Sequence, residues 1–119
     1  MNNTLNANQF ATFNFLNDRF QTTENGVWEI DQSYFYETVY DRIMNTDCFY
    51  TALTSSRRSI QSIIWEAIVD LCNDTLKHNG FCTNSEYVEE WFQHYWFDYG
   101  TFLVGLVEDL TEIREDAME

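Results

Sequence analysis

Apolar positions recur at helical spacing along most of this chain. In residues 9–20, Phe10, Phe13, Leu16 and Phe20 fall three or four apart, the interval that gathers side chains on one face of a 3.6-residue helix. Phe13 and Phe15 also alternate. Asn25-Gly26 stops this segment, and the same pair is a hairpin-turn signal. Residues 20–24 and 27–30 are therefore open to pairing as a short β-hairpin, the main challenge to an all-α reading. Asp31 or Ser33 is placed to cap a second helix that reaches Met44, with Tyr36, Val39, Tyr40 and Ile43 on one face. Asn45-Thr46-Asp47 breaks it. A short helical piece over 48–53 follows, and Thr54-Ser55-Ser56 offers caps for the next element.

The clearest pattern comes next. Ile60, Ile63, Ile64, Ala67, Ile68, Leu71 and Thr75 keep one continuous helical face, and Asn79-Gly80 supplies the stop. This helix is expected at the centre of the fold. Thr83-Asn84-Ser85-Glu86 matches the Ser/Thr-x-x-Glu capping box, after which Val88, Trp91, Phe92, Tyr95 and Tyr99 mark another amphipathic face. Gly100 ends or kinks that helix. Leu103, Leu106, Val107, Leu110 and Ile113 carry a last helix into an acidic terminus. With no proline and no sustained alternation, the expected architecture is an irregular helical bundle over 9–119, preceded by a polar, Asn-rich, flexible arm at 1–8.

Composition adds a constraint on partners. The chain has 119 residues, enough for one compact domain, and its 10 Phe, 7 Tyr and 4 Trp can fill a core. Against that core stand 20 acids and 6 bases, a formal net charge of −14. Direct binding to nucleic acid or to an anionic bilayer is electrostatically disfavoured, so a basic protein or complex is the expected partner. Lys77 is the single lysine, whereas Asn occurs 11 times; the two use neighbouring codons, so base composition does not explain the shortage. The acidity is also uneven: 1–60 carry 7 acids and 4 bases, 61–119 carry 13 acids and 2 bases. A surface adapted to high salt would spread the acids evenly. Cys48, Cys72 and Cys82 form no short CxxC pair, which fits buried thiols in a reducing cytoplasm. The start shows no secretory pattern and no stretch approaches a membrane span, so a cytoplasmic location is expected.

Placed on helices, the acids form stripes. Glu37 and Asp41 are four apart; Glu66, Asp70 and Asp74 continue that interval; Glu86 and Glu90 are four apart; Glu108, Glu112, Glu115 and Glu119 line the last helix, with Asp109 and Asp116 beside them. Like charges at this spacing cost an exposed helix about 0.2–0.5 kcal/mol per pair. Acids near a helix C-terminus also oppose its dipole. Arg114 does not relieve the last stripe, because Leu110 and Met118 occupy its i±4 positions. Carboxylates averaging 3.67 residues apart would recur about every 5.5 Å along the axis, comparable with the axial phosphate spacing of about 3.4 Å per strand in a duplex. A row of this kind can compete for a cleft built to hold nucleic acid.

Length, acid excess, scarcity of lysine, helical patterning and the tail Glu108-Asp109-Leu110-Thr111-Glu112-Ile113-Arg114-Glu115-Asp116 together resemble the phage DNA-mimic inhibitors. These include the anti-restriction proteins of T7-like phages and several acidic anti-CRISPR proteins. The resemblance is one of class, carried by composition and pattern, and transfers no individual residue role. It implies stoichiometric inhibition of a host defence enzyme, often by a dimer, in the host cell cytoplasm. The candidate partner-binding residues are Glu108, Asp109, Glu112, Glu115, Asp116 and Glu119, with Glu66, Asp70, Asp74, Glu86 and Glu90 in further rows.

No reaction chemistry stands out. Gly100-Thr101-Phe102-Leu103-Val104-Gly105 has P-loop spacing, but Leu106-Val107 follow where Lys-Ser/Thr is required. His94 lies four after Glu90 without the second His of a zinc-protease motif. Cys72, His78 and Cys82, with Cys48, are zinc-ligand types at the wrong spacing for a compact finger. The expectation is a protein that is not an enzyme and carries no metal or cofactor. Arg57-Arg58, in the first turn of the central helix, is expected to pair with acids of another helix. Two further readings stay open: an acidic adaptor or antitoxin-like partner that binds through Trp91, Tyr95, Trp96 and Tyr99, and a small metalloenzyme built on the Cys/His set.

Overall fold

The computed structural model describes residues 7–24, 27–30, 32–81, 84–94 and 100–118. Its elements are α1 (Ala7–Phe20), β1 (Gln21–Glu24), β2 (Val27–Ile30), α2 (Gln32–Asn45), α3 (Asp47–Ser55), α4 (Ile60–His78), α5 (Ser85–His94) and α6 (Gly100–Ala117). The architecture is a helical bundle, as the patterning indicates. The hairpin alternative is present as a small appendage: β1 and β2 pair antiparallel with Gln21 opposite Ile30 and Glu24 opposite Val27. The Asn25-Gly26 turn lies outside the described residues, as do Asp31, Cys82, Thr83, residues 95–99 and Glu119.

Helix α4 is the spine. Ile63, Ile64, Ala67, Ile68, Leu71, Cys72 and Leu76 are buried along it, and α1, α2, α3, α5 and α6 all pack against it. Its start is set by Ser59, whose Oγ accepts from the Ser62 N–H at 3.4 Å, rather than by the upstream Thr54-Ser55-Ser56. Ser56 instead bonds back to the Ala52 carbonyl and accepts from the Arg58 N–H at 3.2 Å, shaping the α3–α4 turn. The other end closes as a Schellman motif: the Phe81 N–H reaches the Leu76 carbonyl at 2.9 Å and the Gly80 N–H reaches that of Lys77 at 3.2 Å. Gly80 sits at φ +82°, a left-handed conformation that costs a residue with a Cβ about 1 kcal/mol.

The flanking helices bury one stripe each. On α1 this is Thr12, Leu16 and Phe20. Phe10, expected on the same face, lies about 120° round the helix from the centre of the stripe and is 58% exposed. The helix also starts at Ala7, within the expected arm. On α2 the stripe is Phe35, Val39 and Ile43, with Tyr36 and Tyr40 at its edge. Helix α5 is capped by Asn84, whose Oδ1 accepts from the Glu86 N–H at 3.0 Å, and buries Val88, Trp91 and Phe92. Phe20, Phe35, Trp91 and Phe92 form an aromatic centre with ring centroids 5.2–6.5 Å apart. Leu106 and Leu110 anchor α6. Among the described residues no helix is long and apolar enough to cross a membrane.

Candidate functional site

The last helix fixes the main acidic row. Burial of Leu106 and Leu110 turns the opposite side of α6 outward, and Glu108, Glu112, Glu115 and Asp116 are all exposed. At about 100° per residue the four occupy an arc of about 100° and span about 12 Å along the axis. Among the described residues no cation lies within ion-pair distance of any of them. Glu119 lies outside the described residues.

Arg114, the one base of α6, is turned away from this row. Its Nε donates to the Leu53 carbonyl at 2.7 Å and its Nη2 to the Ala52 carbonyl at 3.2 Å. Those carbonyls belong to the last turn of α3, where helix geometry leaves acceptors without intrahelical partners. The guanidinium thus caps a neighbouring helix. Asp109 is held differently, by the phenol of Tyr36 on α2, which donates to its carboxylate. Burial, the bond to Asp109 and the negative charge of Asp109 push the Tyr36 phenol up to about 12. This tie fixes one edge of the α6 row against α2.

The second expected row is corrected by the structure. Arg42, at the edge of α2 that faces α4, bridges Asp70 at 2.7 Å and Asp74 at 3.1 Å. The i,i+4 spacing that makes a stripe also makes a two-carboxylate seat for a single guanidinium. Arg58 holds Glu66 and also donates to the Ser62 hydroxyl at 3.1 Å. Arg58 stands in the α3–α4 turn before the Ser59 cap, not in the first turn of α4 as expected, and its counter-charge comes from the helix that it precedes, not from a different one. Glu66, Asp70 and Asp74 are therefore compensated within the molecule and do not belong with the free carboxylates of α6.

The α5 acids divide as well. Glu86 is exposed in the first turn, where it favours the helix dipole. Glu90 accepts from the Gln9 amide of α1, tying two helices together. Glu89, not singled out from the sequence, accepts from the Trp65 indole at 3.4 Å.

The aromatic patch is corrected at its first member. Trp91 is fully buried and its indole donates to Asn17 Oδ1 at 2.8 Å. Tyr95, Trp96 and Tyr99 lie outside the described residues. Of the Cys/His set, Cys72 is buried within α4, where burial pushes its thiol pKa up, while Cys48 is exposed on α3. Cys82 lies outside the described residues, and among those described no three His, Cys, Asp or Glu side chains are grouped to hold a metal.

The pairings of Arg42 and Arg114 were hidden from sequence because both partners are far along the chain. One signal existed for Arg42: it directly precedes the core residue Ile43, on the flank of the buried stripe. No protein-family model, curated protein or solved structure matches this chain. The site therefore rests on its own chemistry: a stiff helical row of uncompensated carboxylates on a packed scaffold.

Proposed function

We propose that this protein is an acidic DNA-mimic inhibitor. It offers the α6 carboxylates to the nucleic-acid groove of a basic host defence or DNA-handling enzyme, of restriction or CRISPR type. The observation that carries the reading is the exposure of Glu108, Glu112, Glu115 and Asp116 without a counter-charge among the described residues, while the helix's own Arg114 is spent on α3. Elsewhere the molecule pairs acids at the same spacing, as Arg42 does with Asp70 and Asp74. Among the described residues the α6 row is the longest left open, beside the shorter exposed Glu37–Asp41 pair of α2; an uncompensated row is costly to the fold and is of use to a partner that reads negative charge. The row acts by occupancy: long-range attraction steers it to a basic cleft, and the packed core keeps it straight once there. Such an inhibitor works in the cytoplasm of the cell whose enzyme it blocks, without touching nucleic acid or membrane itself.

Mutual exclusion tests this. A candidate nuclease complex is bound to labelled duplex, and the chain is titrated in. Release of the duplex, with inhibition relieved by excess DNA, is the expected result. A stable ternary complex of enzyme, duplex and this chain would refute occupancy of the groove.

A further inference from the structure

Asn79 and Gly80 close the α4 spine, and the same two residues carry a chemistry of their own. An asparagine side-chain amide is open to attack by the backbone nitrogen of the next residue, and a glycine there has no Cβ to obstruct the approach. Both residues are exposed, and a Cβ built on Gly80 would meet no atom within 4 Å, so the surroundings leave the approach clear.

Three local restraints oppose that attack in the fold. The Asn79 Nδ2 donates to the Thr75 carbonyl at 2.8 Å, which holds the side chain back along the helix. The Gly80 N–H, whose nitrogen is the nucleophile, is committed to the Lys77 carbonyl at 3.2 Å. The Asn79 backbone, at φ −108° and ψ 19°, turns that nitrogen away from Cβ about the Cα–C bond, whereas ring closure requires the two to be eclipsed. All three belong to the end of a helix, where opening is cheapest.

We propose that Asn79 is a site of spontaneous deamidation, held back by the Schellman closure of α4 and released when that turn opens. The Gly80 nitrogen bonds to Asn79 Cγ, the Cγ–Nδ2 bond breaks, and Nδ2 leaves as ammonia with the proton that Gly80 gives up. One water then opens the five-membered succinimide. Cleavage between the Gly80 nitrogen and Cγ gives aspartate; cleavage between that nitrogen and the main-chain carbonyl carbon gives isoaspartate. Either product sets a carboxylate at the C-terminal end of α4, against the helix dipole, and removes the donor to Thr75. Isoaspartate also adds one atom to the backbone, so the closure cannot re-form in register. Phe81, whose ring packs on Phe15 of α1 at 4.8 Å, is then displaced. The change runs one way and records openings of the helix end.

The test uses the full chain, incubated in mildly alkaline buffer either folded or in guanidinium chloride. Conversion at Asn79 and its isoaspartate content are read by peptide mass spectrometry, with Asn25, the other asparagine before a glycine, as the positive control in denaturant. Asn79 should convert about tenfold or more slowly in the folded chain than in the unfolded one. In denaturant, Gly80→Ala should slow conversion several-fold by obstructing the attack. After refolding, the isoaspartate-bearing chain should unfold at lower denaturant than Asn79→Asp, which carries the charge without the extra backbone atom. Equal rates in folded and unfolded chains, aspartate without isoaspartate, or a Gly80→Ala rate equal to that of the parent would overturn the proposal. Equal midpoints for the isoaspartate product and Asn79→Asp would overturn the displacement of Phe81.

Discussion

Replacing Arg114 with Met separates two roles that the residue could play in an acidic helix. If the guanidinium caps α3, its loss takes from the Leu53 carbonyl the donor at 2.7 Å and leaves the Ala52 carbonyl, now also bonded to Arg114 at 3.2 Å, with the Ser56 hydroxyl alone. Two hydrogen bonds from a charged donor are worth about 1.5–3 kcal/mol each where well shielded. The site is only partly buried and Met keeps most of the stem packing, so about 2 kcal/mol in total is the expected loss. With a urea dependence of about 1.5 kcal/mol per molar, the unfolding midpoint should fall by about 1.3 M. If Arg114 instead screened its acidic neighbours, the loss would be electrostatic at long range. It would then fade in ~0.5 M NaCl, where the Debye length is about 4 Å. Capping predicts a loss that largely survives that salt. It also predicts that Arg114→Lys recovers part of the stability, since an ammonium lacks the two-pronged reach. A loss below about 0.5 kcal/mol, or one abolished by salt, would refute the assignment.

Three further outcomes follow from the geometry. The Tyr36 phenol, raised from 10.0 to about 12 in the fold, holds its proton longer than in the unfolded chain. Its contribution to stability is therefore intact below pH 10 and lost as pH climbs through about 12. Denaturation across that alkaline window should show the decline, and Tyr36→Phe should flatten it. Gly80→Ala meets no atom within 4 Å, so its cost of about 1 kcal/mol comes from the left-handed φ alone; a neutral result in urea melts would contradict the Schellman closure. Under native conditions a thiol reagent should modify exposed Cys48 and spare buried Cys72, as mapped by peptide mass spectrometry, until denaturant is added.

The helices were legible because each carries its own evidence, an apolar stripe at helical spacing between polar breaks. The hairpin was legible for a different reason, since Asn25-Gly26 favours the backbone conformation of a tight reversal. Faces with more than one apolar stripe were harder to read. Phe10 continues the spacing of α1, but the stripe that enters the core runs through Thr12, Leu16 and Phe20. Trp91 shows the same ambiguity: sequence allows it as core or as contact surface, and its burial against Asn17 decides for the core.

The acidic rows could not be ranked from sequence at all. Spacing alone makes Glu66-Asp70-Asp74 look like the α6 row; the difference lies in Arg42 of α2 and in Arg58, whose reach depends on tertiary packing and turn geometry. For Arg114 the sequence showed only which acids it misses. Its use on α3 required the placement of the two helices.

The central claim is that the α6 carboxylates are read by another macromolecule as a polyanion. Its most direct test is a graded neutralisation of Glu108, Glu112 and Glu115 to Gln and Asp116 to Asn, with inhibition of DNA-binding enzymes measured at low and high salt. Potency should fall with each step at low salt, by about tenfold or more over the full series, and the steps should shrink as salt rises. Undiminished inhibition by the fully neutralised helix at both salt concentrations would contradict the account.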